Sequence, residues 1–178
     1  MARAYVSIGS NIEPAANVLA ALRLLAEAFG PLRCSSVYRT PAVGFEGEDF
    51  LNLVVGLDTD EPPRALAARL RAFEDACGRQ RGGARFSART LDLDVLTWDD
   101  TVLEDGKLVL PRPEITEQAF VLGPLAEIAG GERHPVLQQS YAELWAVMRR
   151  TAPALERVAL PGLEAIPQLP VAGKEQNQ

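Results

Sequence analysis

The chain has 178 residues, of which 47% are hydrophobic and 24% are charged, and its formal net charge at pH 7 is −6. This length and composition predict one globular domain with a sizeable hydrophobic core. The acidic balance argues against a general nucleic-acid binder, because such proteins gain much of their affinity by neutralising phosphates.

Hydrophobic periodicity predicts alternating strands and helices along the first part of the chain. In chain order we expect a strand at 3–9, a helix at 10–30, strands at 32–40 and 50–59, a helix at 61–78 and a strand at 91–98. A loop marked by Pro and Gly separates the second and third strands. The resulting βαββαβ order predicts an α+β fold, the ferredoxin-like sandwich.

The remainder of the chain predicts a hairpin and two further helices. The hairpin spans 101–110 and turns at Asp105-Gly106, and helices at 115–130 and 140–150 can cover one side of the sheet. The end of the chain is rich in Pro, Gly and polar residues. We therefore expect a single domain over residues 1–161 and a frayed tail over residues 162–178.

The sequence also limits where the protein acts and by which chemistry. No apolar run approaches membrane-spanning length and the first residues lack the features of a signal peptide, so we expect a cytoplasmic protein with no membrane partner. Cys34 and Cys77 lack the spacing of a zinc or redox motif and are expected to be packing residues. His134 is the only histidine and is expected to have a structural role at a turn. Catalysis would therefore rest on carboxylates and arginines.

The predicted strand at 91–98 carries two aspartates on one face. Strand alternation places Leu91, Leu93 and Val95 on one side and Asp92 and Asp94 on the other. At a separation of roughly 7 Å and an effective dielectric near 20, two ionised carboxylates repel by about 2 kcal/mol. A divalent cation such as Mg²⁺ would reverse the sign of that interaction. The alternative is a solvated polar face of a half-buried strand, and the strand alone does not decide between them.

An arginine cluster directly precedes this strand. The segment "GRQRGGARFSART" at 78–90 contains four arginines and no acidic residue. A solvated basic loop is the simple explanation of such a cluster. Arginines beside a carboxylate pair that can hold a metal are, however, also the arrangement that phosphoryl transfer requires.

Four segments follow one another in an order shared by a known enzyme family. They are "YVSIGSN" near the start, "SVYRTPAVG" at 36–44, "FLN" at 50–52 and "RTLDLDVL" at 89–96. With these segments the chain resembles the 6-hydroxymethyl-7,8-dihydropterin pyrophosphokinase family over roughly residues 3–145. The resemblance implies an enzyme of folate biosynthesis that transfers pyrophosphate from ATP to a pterin alcohol and releases AMP. Its partners would be these two small molecules, with no nucleic acid and no obligate protein partner.

The resemblance also implies which residues act on the phosphates. Asp92 and Asp94 would hold two Mg²⁺ ions that bridge the ATP phosphates, and Arg79 and Arg89 would be catalytic by neutralising phosphate charge. Further residues expected to bind the nucleotide are Glu74, Arg81, Arg85 and Arg112. This set agrees with the chemistry, because phosphoryl transfer needs positioning and charge stabilisation more than a protein nucleophile.

For the pterin, the resemblance implies a stacked ring with polar contacts along its edge. Phe50 and Phe120 would hold the ring between them, and Asn52 would bind its polar edge. Backbone groups around Thr40, Pro41 and Val43 would complete the edge contacts. Without the resemblance, plain core packing would be the preferred explanation of both phenylalanines.

Three positions depart from the family pattern, all on the nucleotide side. Residues 86–89 read "FSAR" where the family usually has Trp-Gly-Pro-Arg, Arg112 stands where a histidine is common, and Gln118 stands where a basic residue is common. We expect Arg112 to replace the cation missing at position 118. The departures keep two alternatives open, a non-catalytic or differently specific pterin-binding paralogue and, more remotely, an RNA-recognition module with the same βαββαβ order.

Overall fold

A computed structural model describes residues 1–42, 46–78 and 91–171 of the chain. Its strands are β1 (Ala2–Ser10), β2 (Arg33–Cys34), β3 (Val37–Thr40), β4 (Phe50–Thr59), β5 (Asp92–Trp98), β6 (Leu103–Asp105), β7 (Leu108–Leu110) and β8 (Glu156–Val158). Its α-helices are α1 (Pro14–Phe29), α2 (Pro63–Ala76), α3 (Ala119–Ala129) and α4 (Tyr141–Met148), and short 3₁₀ turns occur at Pro113–Thr116 and Leu163–Ala165.

The main sheet has the strand order β5-β1-β4-β3-β8, with β2 also paired to β4. All of these pairs are antiparallel. The first strand therefore lies between the last and the third strands of the βαββαβ unit, as the ferredoxin-like arrangement requires. The predicted fold is confirmed. The strands β6 and β7 form the predicted hairpin as a separate two-stranded sheet.

Each face of the main sheet supports a hydrophobic core. On one face, strand residues such as Val6, Ile8 and Leu53 pack with the apolar sides of α1 and α2. On the other face, a second core joins Tyr5, Val54 and Leu96 with residues of α3 and α4, the helices that follow the hairpin. Strand alternation explains the division, because successive side chains of one strand point to opposite faces. The second face is the one that also carries the aspartates of β5.

Several predicted elements have different boundaries in the structure, and two of these differences have a clear local cause. The strand expected at 32–40 is divided into β2 and β3 by Ser35, whose hydroxyl accepts the N–H of Val54 at 3.0 Å and donates to the carbonyl of Ser36 at 2.8 Å. The side chain thus takes the place of a regular ladder bond. The helix expected at 115–130 begins only at Ala119, because the residues before it form a 3₁₀ turn. Periodicity does not distinguish these local alternatives.

Residues of the tail expected to fray from position 162 make defined contacts with the rest of the domain in the part that the structure describes, up to residue 171. The Leu32 N–H donates to the carbonyl of Pro167 at 2.9 Å, and the Leu169 N–H donates to the carbonyl of Leu32 at 2.8 Å. Ile166 is buried in the first core. The prolines limit regular structure, but the apolar residues between them still bury surface against the sheet. Residues 172–178 lie outside the described part of the chain.

His134 has a structural position at a turn. Its ring is buried, and Nδ1 accepts the N–H groups of Val136 at 3.2 Å and Leu137 at 3.1 Å. Burial lowers the pKa of His134, which keeps the ring neutral and able to accept these bonds. Cys34 is buried, Cys77 is partly buried, and both are free thiols. Within the described ranges, none of the helices has the length and apolar character needed to cross a membrane.

Candidate active site

A row of four paired residues crosses the second face of the sheet. Asp92 of β5 pairs with Gly9 of β1, Gly9 pairs with Asn52 of β4, and Asn52 pairs with Tyr38 of β3. Since neighbouring strands are roughly 4.8 Å apart, the backbones of Asp92 and Asn52 lie roughly 10 Å from each other. Paired residues share a face, so a carboxylate and an amide flank a position that has no side chain.

Gly9 is needed in this row because its neighbours approach closely. A Cβ atom on Gly9 would lie 2.9 Å from Oδ1 of Asn52 and 3.9 Å from Cδ1 of Phe50. The first distance is shorter than normal van der Waals contact, so any larger residue would displace the amide. Gly9 belongs to the weak "IGSN" segment, and sequence reasoning did not assign it a role. Its only sequence signal was a glycine inside a strand, which often marks a close approach.

The structure brings together three of the residues predicted to bind the pterin. Asn52 is buried and donates from Nδ2 to Oγ1 of Thr40 at 2.6 Å, and Thr40 pairs with Phe50 across β3 and β4. Phe50 is partly buried on the same face as Asn52. Pro41 directly follows Thr40 and is exposed. Together they form an edge with a hydroxyl, an amide and one aromatic ring.

Phe120, predicted to be the second aromatic ring, lies near the start of α3. It is partly buried and packs against the second core. The packing role considered from the sequence is therefore present. The pterin role stays a prediction. It is compatible with the structure, because α3 covers the same face of the sheet and part of the ring is exposed.

Asp92 and Asp94 share the second face and are both partly exposed. Burial raises the pKa of Asp94 to about 6, the negative charges of Asp92, Glu74 and Glu114 act in the same direction, and the cation of Arg112 opposes them. Among the described residues that influence Asp94, this site therefore combines four carboxylates, Asp94 included, with one arginine. This charge balance favours binding of a further cation.

The residues present fit a magnesium ion held together with a phosphate. Among the residues that the structure describes, no group of three or more His, Cys, Asp and Glu side chains could form a metal site. Asp92 and Asp94 therefore form a pair rather than a closed cage. Mg²⁺ usually binds one or two carboxylates and completes its shell with phosphate and water. The donor set suits that arrangement and does not suit a structural zinc site.

Glu74 connects helix α2 to the strand that carries the acid pair. Its side chain is only 4% exposed, and Oε1 accepts the N–H of Leu93 at 2.9 Å. Leu93 lies between Asp92 and Asp94, so this hydrogen bond fixes the backbone from which both carboxylates extend. The nucleotide role predicted for Glu74 stays a prediction, and the contact described here is a positioning one.

Arg112 lies against the acid pair. Its Nη2 is 3.5 Å from Oδ1 of Asp94, and its Nε is 3.0 Å from Oε2 of Glu114. Its backbone N–H donates to the carbonyl of Leu96 at 2.8 Å, which ties the residue to β5. The nucleotide role predicted for Arg112 stays a prediction. The sequence offered no signal for Glu114, which lies only two residues away along the chain.

Several predicted site residues lie outside the described ranges. These residues are Val43, Arg79, Arg81, Arg85 and Arg89, and the "FSAR" departure at 86–89 lies there too. Their roles stay predictions.

The raised pKa of Asp94 predicts a pH-dependent effect on stability. In EDTA, Asp94→Asn should raise the free energy of unfolding near pH 7.5 and leave it almost unchanged near pH 4. The folded protein binds a proton on Asp94 more tightly than the unfolded chain does, so proton binding stabilises the wild type. This contribution is complete below about pH 4 and is lost as the pH rises through about 6, whereas asparagine stays neutral at every pH. Because the side chain is 38% exposed, solvent screening limits the expected gain to about 1 kcal/mol.

Urea unfolding at both pH values would measure this gain. Asp60→Asn is the control, because it makes the same change in charge at a side chain that is 84% exposed. An equal gain for Asp94→Asn at both pH values would contradict the assignment.

Comparison with known proteins identifies relatives of this chain. Residues 5–130 match the model of the 7,8-dihydro-6-hydroxymethylpterin-pyrophosphokinase family. The 2-amino-4-hydroxy-6-hydroxymethyldihydropteridine pyrophosphokinase of Methylorubrum extorquens is 43% identical over 141 residues, which cover 74% of this chain and 89% of the relative. The protein of the same name from Bacillus subtilis is 38% identical over 129 residues, which cover 70% of this chain and 77% of the relative.

Solved structures show a similar fold. The crystal structure of Plasmodium falciparum HPPK-DHPS wild type with SDX-DHP matches with a TM-score of 0.64 at 15% sequence identity. The match covers 83% of this chain and 44% of that chain. This chain therefore spans less than half the length of that solved protein, and the likeness concerns the fold alone.

Proposed function

The chain belongs to the 7,8-dihydro-6-hydroxymethylpterin-pyrophosphokinase family, and from that premise we propose that it transfers pyrophosphate from ATP to 6-hydroxymethyl-7,8-dihydropterin. AMP is the second product, and the reaction belongs to folate biosynthesis. It takes place in the cytoplasm between two small molecules and needs no protein partner.

The observation that carries this proposal is the row Asp92–Gly9–Asn52. It brings the backbone of Asp92, a member of the predicted metal pair, to roughly 10 Å from the backbone of Asn52, whose amide is predicted to recognise the pterin. Transfer requires the pterin hydroxyl and the β-phosphorus of ATP to meet in line, with both substrates held by fixed groups. The gap over Gly9 is where the two sites adjoin.

On the phosphate side, Asp92 and Asp94 would hold Mg²⁺, two ions being expected. When bound, the metal neutralises phosphate charge and lowers the pKa of the pterin hydroxyl, so that no protein base is required. Arg79 and Arg89 stabilise the charge that develops on the transferred group. Glu74 keeps β5 in place through the N–H of Leu93.

On the nucleotide side, arginine side chains supply the remaining positive charge. Arg81 and Arg85 precede β5 and would contact the ATP phosphates, and Arg112 would join them. Arg112 lies 3.5 Å from Asp94 in the structure, which places a cation beside the proposed metal pair.

The pterin binds where β3 ends and β4 begins. Asn52 and Thr40, joined by a hydrogen bond of 2.6 Å, offer polar groups to the edge of the ring. Backbone groups around Pro41 and Val43 would complete that edge, and Phe50 and Phe120 stack on the two faces of the ring.

A coupled assay for AMP tests the function directly. The purified protein is incubated with ATP, Mg²⁺ and 6-hydroxymethyl-7,8-dihydropterin, and AMP release should require all three. A pterin without the hydroxymethyl group is the matched control, because it can stack and bind but offers no nucleophile. Pterin binding without pterin-dependent AMP release would support the non-catalytic alternative instead.

The stacking role of the aromatic residues makes a separate prediction. Phe50→Ala and Phe120→Ala should each weaken pterin binding by about 1–2 kcal/mol, the range for a lost stacked contact, while affinity for an ATP analogue stays unchanged. Titration calorimetry with each ligand measures both. Phe29→Ala is the control, because Phe29 is a partly buried ring that packs against the first core. If Phe120→Ala lowers the melting temperature but binds pterin normally, the ring serves only the second core.

A further inference from the structure

Arg112 lies between two carboxylates that belong to different elements. Its Nη2 is 3.5 Å from Asp94 on β5, and its Nε is 3.0 Å from Oε2 of Glu114 in the 3₁₀ turn. Oε2 of Glu114 is buried and makes no hydrogen bond with the described residues. Among those residues, its polar contact is the ion pair with Arg112. One guanidinium is therefore shared by a proposed metal ligand and by an acid with no other assigned role.

We propose that Arg112 is an internal cation that competes with the divalent metal for Asp94, and that Glu114 is the positioning residue that retains Arg112 when the metal binds. This inference rests on the proposed function, because it assumes that Asp94 is a metal ligand. It assigns to Glu114 a part in the reaction cycle, which is to hold the arginine beside the arriving phosphates.

The fold permits this exchange without backbone movement. The Arg112 N–H is bonded to the carbonyl of Leu96, and Ile115 is fully buried directly after Glu114, so both ends of this short segment are anchored. The Arg112 side chain is 28% exposed and has several rotatable bonds, and therefore only its guanidinium needs to turn.

Charge explains the direction of the exchange. Without metal, the guanidinium relieves the repulsion among the carboxylates around Asp94. A divalent ion at Asp94 repels the guanidinium and takes over that function. Glu114 then determines how far the arginine can move, because its carboxylate still attracts Nε. Released from Asp94 but held near it, Arg112 presents its remaining N–H groups to an anion, and it can bind a phosphate with two parallel bonds.

The test is direct binding of Mn²⁺ in the absence of nucleotide, measured from the paramagnetic resonance signal of the free ion. Arg112→Ala should bind Mn²⁺ on the order of 10-fold more tightly than the wild type, because the competing cation is gone. Glu114→Gln should bind it several-fold more weakly, because Arg112 then pairs with Asp94 alone. Arg112→Gln removes the charge but keeps a polar side chain with part of the aliphatic stem, and it replaces the Ala variant should that one fail to fold.

The matched controls come from another ion pair on the surface. Arg39 and Glu156 form a pair of 3.2 Å between β3 and β8, so Arg39→Ala and Glu156→Gln make the same changes in charge outside the site. Both should bind Mn²⁺ as the wild type does. If they shift the affinity as much as the Arg112 and Glu114 variants do, the effect is one of net charge and the inference is wrong.

A second measurement uses a non-hydrolysable ATP analogue with Mg²⁺. Arg112→Ala should bind this ligand several-fold more weakly although it binds Mn²⁺ alone more tightly, because the arginine has lost its role at the phosphates. Such opposite changes are not expected from a purely structural ion pair. Equal Mn²⁺ affinity of the wild type and Arg112→Ala would overturn the inference.

The same experiment separates this inference from the proposed metal site. Asp94→Asn should strongly reduce Mn²⁺ binding. If it does not, the assignment of Asp94 as a metal ligand is wrong and the competition falls with it. If no variant binds the ion without nucleotide, the competition is rejected, because the acid pair then holds a metal only together with a phosphate. If Mn²⁺ binding depends on Asp94 but responds to neither Arg112 nor Glu114, the metal site stands and only the competition is rejected.

Discussion

Asp92→Asn and Asp94→Asn should each lower the rate of pyrophosphate transfer by on the order of a thousandfold, the loss expected when a principal source of charge stabilisation is removed. Both carboxylates extend from β5 on the face that also carries Asn52. Asparagine keeps the size of the side chain but removes the negative charge that holds a divalent ion. The chemical step should therefore suffer far more than the fold.

The rate is measured as AMP release at saturating ATP and pterin over a range of Mg²⁺ concentrations. Asp100→Asn is the matched control, because Asp100 is an exposed aspartate just beyond the end of β5 and should retain full activity. Pterin binding should persist in both site variants in a weaker form, since Asn52 and Thr40 are unchanged. A double Asn variant that keeps more than about a tenth of the wild-type rate would disprove the metal assignment.

The stability of these variants distinguishes a functional acid pair from a solvated polar face. Burial and the neighbouring carboxylates raise the pKa of Asp94 to about 6, so the charged side chain is unfavourable in the metal-free protein. A variant that is less active and yet more stable near neutral pH is the pattern expected of residues kept for function. A solvated face would show neither change.

Much of the fold was predictable because its information is local. The period-2 alternation of Leu91, Leu93 and Val95 against Asp92 and Asp94 is present in the strand itself, and the structure places the first three residues in the core. The break at Ser35 depends on a hydrogen bond to Val54 in another strand. The burial of Ile166 depends on a distant part of the sheet. Periodicity in one segment contains neither piece of information.

The candidate site was predictable to the extent that each residue had a characteristic type or motif. Asp92, Asp94 and Asn52 were named from the sequence, but the placement of Asp92 and Asn52 in one row required the register of β1 with both neighbouring strands. The pairing of Arg112 with Asp94 joins positions from different elements, and Glu114 belongs to no motif. Gly9 has no side chain, so its contribution is visible only as the space that its neighbours need.

Gly9→Ala should weaken pterin binding by roughly 100-fold while changing the stability of the fold little. The new Cβ would lie 2.9 Å from Oδ1 of Asn52. That atom is the end of a side chain, so the amide can turn away at small cost, but it then leaves its bond of 2.6 Å to Thr40 and its place at the pterin edge. Two hydrogen bonds lost between the Asn52 amide and the pterin edge, at about 1 to 1.5 kcal/mol each, correspond to roughly this change in affinity.

Gly56→Ala is the matched control, because it tests the same substitution in a strand of the same sheet away from the site. Its Cβ would lie 2.9 Å from Cε1 of Tyr5, a ring buried in the second core whose hydroxyl donates to Glu132. A buried ring cannot turn away freely, so this variant should lose stability and keep its pterin affinity. Titration with the pterin and thermal unfolding of both variants therefore give crossed results. If Gly9→Ala also loses stability and keeps pterin affinity, Gly9 serves only strand packing, and the row from Asp92 to Asn52 is not where the two substrates meet.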